Sequence, residues 1–173
     1  MRIIVISDTH IPKRGFHIPS PLIDAIREAD LLIHAGDWQT IEVLRFLQKE
    51  IKVVGVAGNV DEPSLVKALG WKQLLECNGV NIGVVHGHGQ GKTTEKRAYE
   101  AFKDEEVDII IFGHSHIPVH NVLHGVTMFN PGSATDKRRQ SQYSFGRITI
   151  EETVKLEHIF YDNKEGLEIL SKP

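Results

Sequence analysis

Two histidines, His114 and His116, follow an apolar run in the segment Ile109-Ile110-Ile111-Phe112-Gly113-His114-Ser115-His116. Neutral imidazole is the commonest side-chain metal ligand. Two imidazoles that leave one strand end, separated by one residue, can converge on one small volume. The run is short and rich in β-branched residues, which predicts a central β-strand rather than a helix. The pair is therefore a candidate for metal binding on a rigid backbone.

Four further apolar runs lead into residues that could bind metal. These are 3–6 before Asp8 and His10, 31–34 before Asp37, 53–56 before Asn59, and 82–85 before His86 and His88. A single polar residue at such a place is an ordinary turn former. Turns rarely require histidine, however, and ligands of open α/β sheets bind beyond the carboxyl ends of the strands. The repeated placement predicts one shared site.

The candidate ligands after the first three runs differ in what they offer. Asp8 and His10 supply one anionic and one neutral ligand, and they would lie on the same side if the chain stayed extended through Thr9. Asp37 follows a glycine, and its carboxylate can bridge two cations because each oxygen can bind one. Asn59 offers a neutral carbonyl oxygen, which is a weaker ligand.

The segment 87–93, Gly-His-Gly-Gln-Gly-Lys-Thr, has a competing interpretation as a phosphate-binding loop. It lies between a predicted strand and a predicted helix. The spacing is one residue short, because the pattern needs glycine five positions before Gly91, where the chain has His86. The strand at 109–112 also lacks the terminal Asp that usually helps to hold magnesium. We therefore favour metal binding, for which only one of His86 and His88 is needed.

The hydrophobic pattern predicts an α/β fold. Four helices are predicted. The first has Ser20 as its N-cap, the second has Thr40 as its N-cap, and the third and fourth span Pro63 to Leu69 and Thr94 to Lys103. Residues 11–19 are expected to form a loop. Further strands are predicted at 71–76, 80–85, 119–123, 126–129, 143–150 and 154–161. We expect one domain over residues 1–173, built as two mixed sheets flanked by helices. Other histidines, at 17, 34, 120, 124 and 158, are expected to be structural or at the surface.

Composition excludes several classes of partner. The chain has 173 residues and a formal charge of −3, which gives no general attraction for nucleic acid or anionic membranes. Cys77 is its single cysteine, so an internal disulfide is impossible and a reducing compartment is the simpler expectation. The apolar run near the N-terminus is too short for a signal peptide. We expect a cytoplasmic protein without a membrane span. The sequence is compatible with a monomer or a homo-oligomer.

The five ordered motifs resemble those of the calcineurin-like metallophosphoesterase superfamily. They are Asp8-x-His10, Gly36-Asp37, Gly58-Asn59, His86-Gly87-His88 and Gly113-His114-x-His116, and Asn130-Pro131-Gly132-Ser133 is similar to its small single-domain bacterial and archaeal phosphodiesterase branch. The resemblance implies a four-layer αββα sandwich with a dimetal centre. It also implies hydrolysis of a small phosphodiester by attack of a metal-bridging hydroxide.

Carried over position by position, the resemblance implies two ligand sets. Asp8, His10, Asp37 and His116 would bind one ion, and Asp37, Asn59, His86 and His114 would bind the other, so that Asp37 is the bridge. Imidazole and carboxylate ligands without thiolate suit manganese, which we favour, and also nickel, iron, cobalt or zinc. Two such cations can activate a water and stabilise charge on phosphate oxygens.

The chain departs from the superfamily at one position. Many members have a histidine after Gly-Asn that assists the leaving group, and Val60 stands there in this sequence. A leaving group of low pKa needs no general acid, whereas an alkyl group does. His88 is the candidate replacement, and Asp61 is expected to orient a neighbouring ligand or cap a helix. Arg138 or Arg139 could approach substrate phosphate.

A second function stays open. The stretches His10-Ile11-Pro12-x-Arg14 and 130–135 are similar to the small retromer subunit, a metallophosphoesterase fold used as a protein-binding scaffold. We understand the histidine set of that scaffold to be incomplete. Here His10, His86, His114 and His116 are all present, which favours the enzyme.

Overall fold

A computed structural model describes residues 1–170. The helices are α1 (Ser20–Arg27), α2 (Ile41–Glu50), α3 (Pro63–Leu69) and α4 (Thr94–Glu100). The strands are β1 (Arg2–Ile6), β2 (His17–Pro19), β3 (Leu31–His34), β4 (Val53–Gly55), β5 (Lys72–Cys77), β6 (Val80–Val85), β7 (Ile109–Ile111), β8 (Val119–Leu123), β9 (Val126–Asn130), β10 (Tyr143–Ile150), β11 (Val154–Tyr161) and β12 (Gly166–Glu168). Within this part of the chain, no helix is both long enough and apolar enough to span a membrane.

Two five-stranded mixed sheets form the centre of the fold. The first has the order β11-β10-β1-β3-β4, in which β1, β3 and β4 are parallel. The second has the order β5-β6-β7-β9-β8, in which β6, β7 and β9 are parallel. Strands β1 and β7 are therefore the middle strands of their sheets. Each leads directly into a pair of candidate ligands, which places those residues on the most buried backbone of the fold.

Three apolar clusters separate four layers. Helix α1 buries Leu22 in one cluster with Ile4 on the outer face of the first sheet. The neighbouring Ile3 points to the opposite face because side chains alternate along a strand, and it shares a second cluster with Ile111 of the second sheet. Ala98 of α4 belongs to a third cluster on the outer face of that sheet. The predicted αββα sandwich is confirmed.

The segment 11–19 differs from its prediction as a loop. It contains β2, whose Ile18 is fully buried and which pairs antiparallel with β12, a strand that the sequence pattern did not indicate. Helix α1 begins at Ser20 with Pro19 as its N-cap, so Ser20 is not the N-cap. The Ser20 N–H donates to Glu165 O at 3.0 Å as part of this small ribbon. Pairing with a distant strand therefore decides where the helix starts.

Helix α4 is shorter than its prediction. It ends at Glu100 rather than Lys103. The Phe102 N–H donates to Tyr99 O, three residues back, at 3.0 Å. Such tightening at a helix end is common and ends the regular α-helical ladder. Phe102 is then free to pack under the second sheet, where it is buried.

Candidate metal centre

Six predicted ligands form two groups at the carboxyl ends of the parallel strands. One group is Asp8, His10 and His116, and the other is Asp37, His86 and His114. Within each group the ligand atoms lie within 4.8 Å of one another. The two histidines after β7 are thus divided between the groups. Both groups are composed of residues that are buried or half-buried, so they lie in a protein-walled site.

Five of these residues have left-handed backbone. The φ angles are 55° at Asp8, 47° at His10, 61° at Asp37, 67° at His114 and 59° at His116. Such angles are uncommon outside glycine and cost of order 1–3 kcal/mol each. The expectation of an extended chain through Thr9 is therefore wrong. Hydrogen bonds from Asp8 N to Gly36 O, 2.9 Å, and from His10 N to Asp37 O, 3.0 Å, hold the turn instead.

The backbone fixes the tautomers of two histidines. His86 Nδ1 donates to Ala35 O at 2.7 Å, and His116 Nδ1 donates to Asp136 O at 2.5 Å. A carbonyl oxygen only accepts, so both Nδ1 atoms carry hydrogen and both Nε2 atoms present a lone pair. Metal-binding histidines are commonly held in this way by a bond from the second ring nitrogen.

These lone pairs face carboxylate oxygens. His86 Nε2 lies 3.2 Å from Asp37 Oδ1, and His116 Nε2 lies 3.3 Å from Asp8 Oδ1. Asp8 Oδ1 and His86 Nε2 are buried, and neither has a hydrogen-bond partner among residues 1–170. When the rings are neutral, these facing lone pairs in a poorly solvated site repel each other unless a proton or a metal cation lies between them. The donor atoms therefore fit divalent cations in both groups.

Burial and charge set the ionisation of the ligands. Burial lowers the pKa of His10 and of His114, which keeps both rings neutral. Burial opposes charge on Asp8, yet the contact with His116 and the field of His86 hold the pKa of Asp8 well below its usual range. Burial likewise opposes protonation of His86, yet the neighbouring Asp37 and Asp8 raise its pKa. A proton on His86 therefore competes with a cation for the same space.

Asp61 organises the loop that carries Asp37. Its carboxylate accepts hydrogen bonds from the backbone N–H groups of Asp37 at 3.1 Å, Gln39 at 2.7 Å and Gly58 at 2.7 Å. Burial raises the pKa of Asp61 to about 6, although the three N–H donors favour the ionised form. These contacts agree with an orienting role. They do not cap α3, whose N-cap is Glu62, or α2, whose Ile41 N–H donates to Glu62 Oε1.

Asn59 and Val60 lie in the exposed turn after β4. The Val60 N–H donates to Asp37 Oδ1 at 3.2 Å, so the turn contacts the centre through its backbone. The Val60 side chain is 42% exposed and offers no proton. The structure thus brings only a backbone N–H of Val60 to Asp37 at the position where the resemblance expects a histidine.

His88 lies half-buried next to the second group. Its ring centroid is 5.6 Å from that of His86 and 6.4 Å from that of His114. On the other side it is 5.5 Å from Trp71, which is half-exposed and which sequence reasoning did not select. Burial lowers the pKa of His88, so the ring is neutral near pH 7. A lone tryptophan after a short helix carries no sequence signal for a site.

The segment after β9 supports the centre by hydrogen bonds to the loop that carries Asp8. Ser133 Oγ donates to Asp8 O at 2.7 Å and accepts from Asp136 N at 2.9 Å. Thr135 Oγ1 donates to Thr9 O. Asp136 was not singled out from the sequence, because its contribution to His116 is a backbone carbonyl and carbonyls have no sequence signature. The sequence stretch 130–135, which contains Ser133 and Thr135, did point to this support.

Two of the other histidines, His34 and His158, have structural contacts, as expected. His34 is buried, stacks on Trp38 at 3.6 Å between ring centroids, and has its pKa lowered by burial to about 3. His158 Nε2 bonds Asn130 O at 2.7 Å.

The phosphate-loop interpretation of 87–93 is not supported by the local contacts. Arg97 donates to Gly87 O at 2.9 Å and also to Lys92 O, and the Lys92 ammonium pairs with Glu100. Arg97 of α4 thus binds the loop carbonyls, and the loop lysine, Lys92, pairs with Glu100 of α4.

Comparison with known proteins agrees with this arrangement. The sequence profile of the calcineurin-like phosphoesterase superfamily domain matches residues 1–153. A probable metallophosphoesterase of Methanocaldococcus jannaschii is 38% identical over 141 residues, which cover 80% of this chain and 70% of that protein. An archaeal phosphodiesterase of known structure superposes with a TM-score of 0.71 at 21% identity, over 93% of this chain and 100% of its own. Vps29 of Entamoeba histolytica, solved with Zn²⁺, has a TM-score of 0.72 at 24% identity, over 92% and 99% of the two chains. At these identities the two structures show a shared fold.

Proposed function

Because the chain belongs to the calcineurin-like phosphoesterase superfamily, we propose that it is a metal-dependent phosphodiesterase with two divalent ions in one centre. The proposed ligands of one ion are Asp8, His10, Asp37 and His116, and those of the other are Asp37, Asn59, His86 and His114. Members of this superfamily use divalent metals, and the candidate ligand groups of this chain agree with that. Mixed imidazole and carboxylate ligands leave manganese, our first choice, together with nickel, iron, cobalt and zinc.

The observation that carries the proposal is the position of Asp37 between the groups. Asp37 Oδ1 lies 3.2 Å from His86 Nε2, while Asp37 Oδ2 lies 3.6 Å from His10 Nε2. One carboxylate therefore directs an oxygen toward each group. A bridging carboxylate is what a pair of cations in one centre requires, and separate single-ion sites would not need it.

The chemistry divides between the ions and the chain. When bound, two cations would lower the pKa of a water and stabilise charge developing on phosphate oxygens. The chain contributes orientation: the Ala35 and Asp136 carbonyls hold His86 and His116, and Asp61 holds the loop of Asp37.

Substrate preference follows from the side chains beside the centre. Val60 cannot protonate a departing alkoxide, so we propose a small phosphodiester whose leaving group has a low pKa. His88 is the candidate replacement for the missing histidine, because it lies next to the second group and is not itself a proposed ligand. Its ring is neutral near pH 7, so its role would be to donate a hydrogen bond from a ring N–H to the leaving oxygen rather than to transfer a proton as an imidazolium. We also propose a cytoplasmic location. Cys77 is a buried free thiol, and the cytoplasm keeps thiols reduced.

The test is hydrolysis of bis(p-nitrophenyl) phosphate by metal-stripped protein, with manganese, nickel, zinc or magnesium added back. We expect turnover that depends on added metal and is lost in His114→Ala. His17→Ala is the matched control, because His17 belongs to the β2–β12 ribbon. Turnover without metal, or equal loss in both variants, would contradict the proposal.

The second candidate is a scaffold that binds protein partners. The similarity in fold to Vps29 favours it, as do the exposed apolar residues Leu74, Val122 and Phe160 on outer strands. A scaffold does not need the ligand groups described above. Two bound ions per chain without hydrolysis under any metal would support the scaffold over the enzyme.

A further inference from the structure

A pocket opens on one side of the proposed centre, next to His116. Its volume is about 310 Å³, and it is lined by residues 115–117 and 137–140. Small-molecule sites start at about this size. His116 therefore belongs to both sites: its Nε2 is part of a ligand group, and together with Ser115 and Ile117 it forms one wall of the pocket. A molecule held at the centre could extend into this space.

The opposite wall carries positive charge that other residues do not neutralise. Arg138 and Arg139 are exposed, and neither has an ion-pair partner in the part of the chain that the structure describes. The other charged groups of the segment are already engaged. Asp136 pairs with Arg14 at 2.9 Å, and the Lys137 ammonium donates to Ser141 O at 2.7 Å. Since the whole chain has a charge of −3, this cationic wall is a local feature.

The backbone that carries the two arginines is held in a defined turn next to the centre. They are the central residues of a turn closed by Gln140 N donating to Lys137 O at 2.8 Å, and Arg138 has a φ of 47°. The turn follows directly on Ser133 and Asp136, whose bonds to Asp8 and His116 were described above. The arginines therefore stand on a segment bonded to both loops of one ligand group, unlike side chains on a free surface loop.

We infer that this pocket binds a second phosphate group of the substrate, so that the preferred diester carries a phosphate apart from the one being hydrolysed. Guanidinium groups bind phosphate through paired, charge-assisted hydrogen bonds. The inference rests on the proposed function and narrows its substrate class.

Two chromogenic esters with the same leaving group test the inference. They are the p-nitrophenyl ester of thymidine 5′-phosphate and the same ester with an added 3′-phosphate. In the wild-type protein we expect kcat/KM to be about tenfold or more higher for the ester with the added phosphate, which corresponds to one charge-assisted contact. In the double variant R138Q/R139Q the ratio should fall to about one.

The control is R27Q/R45Q, which also removes two exposed positive charges, one on α1 and one on α2, and should leave the ratio unchanged. A wild-type ratio near one, or a ratio that survives in R138Q/R139Q, would overturn the inference. If no ester is hydrolysed, the proposed function fails. Whether the pocket binds a second phosphate group is then tested separately by ligand binding. Thymidine 3′,5′-bisphosphate should then bind about tenfold more tightly than thymidine 5′-phosphate to the wild type only. Equal binding would overturn the inference.

Discussion

Gly58→Ala should disable the centre without removing any proposed ligand. A Cβ at position 58 would overlap the backbone N and Oδ1 of Asp37 and would lie 2.8 Å from its Cγ. Ordinary carbon contacts are about 3.5–4.0 Å, so the Asp37 side chain would have to move by at least about 0.7 Å. Asp37 cannot move freely, because Val60 and Asp61 bond its loop.

The magnitude follows from this overlap. Overpacking at such a site costs about 1–3 kcal/mol of unfolding free energy. Loss of ligand orientation costs about 10- to 100-fold in metal affinity. A displaced bridge would also lower kcat/KM by tenfold or more, since misplacement by about 1 Å can cost 100-fold. Manganese titration by calorimetry and hydrolysis of bis(p-nitrophenyl) phosphate measure these two effects on the same protein.

Gly125→Ala is the matched control. Gly125 lies in the β8–β9 turn with a φ of 86° and has no atom within 4 Å of a built Cβ. An alanine there costs about 1 kcal/mol through backbone strain alone. It should lower stability comparably while leaving manganese binding intact. The reasoning is refuted if Gly58→Ala binds manganese as tightly as Gly125→Ala does.

Three further predictions concern ionisation and the bridge. Asp37→Asn should lower activity by about 100-fold or more, while His17→Ala changes it by less than about twofold, measured with the same chromogenic diester. Manganese affinity should already fall as the pH is lowered toward 6.5, the ordinary pKa of histidine, because the carboxylates of Asp37 and Asp8 raise the pKa of His86 and let a proton compete with the ion. An affinity that does not change with pH in calorimetric titrations would contradict this. His34 has a depressed pKa of about 3, so its contribution to stability is present above about pH 6.5 and is lost as pH falls toward 3. In metal-free protein, the unfolding free energy at about pH 5 should lose about 2 kcal/mol more in the wild type than in His34→Gln, relative to about pH 7.5. If urea unfolding gives the same change in unfolding free energy between these pH values for both proteins, the prediction is contradicted.

The sequence predicted the parts of the fold that depend on local pattern. Short apolar runs such as Ile3–Ile6 and Ile109–Ile111 became the middle strands, because β-branched residues and burial on both faces favour strands there. Pairing between distant segments was missed. The β2–β12 ribbon depends on residues that are about 150 positions apart, and three-residue strands carry no periodic signal.

The candidate site was predictable for a related reason. Ligand residues stand directly after strands, and parallel strand ends meet at one edge, so their convergence follows from topology. The way in which they converge did not follow. The left-handed backbone at Asp8 and His10 contradicts the extended chain that was expected, because bonds from the β3 loop determine it. Support from the Asp136 carbonyl was invisible, since any residue could supply it.

The most direct test of the central claim is to locate manganese in crystals of the loaded protein by anomalous diffraction. Our account predicts two peaks per chain about 4 Å apart, with Asp37 contributing one oxygen to each. Asp37→Asn should weaken at least one peak. A single peak, or two peaks that Asp37 does not join, would contradict a bridged centre of two ions.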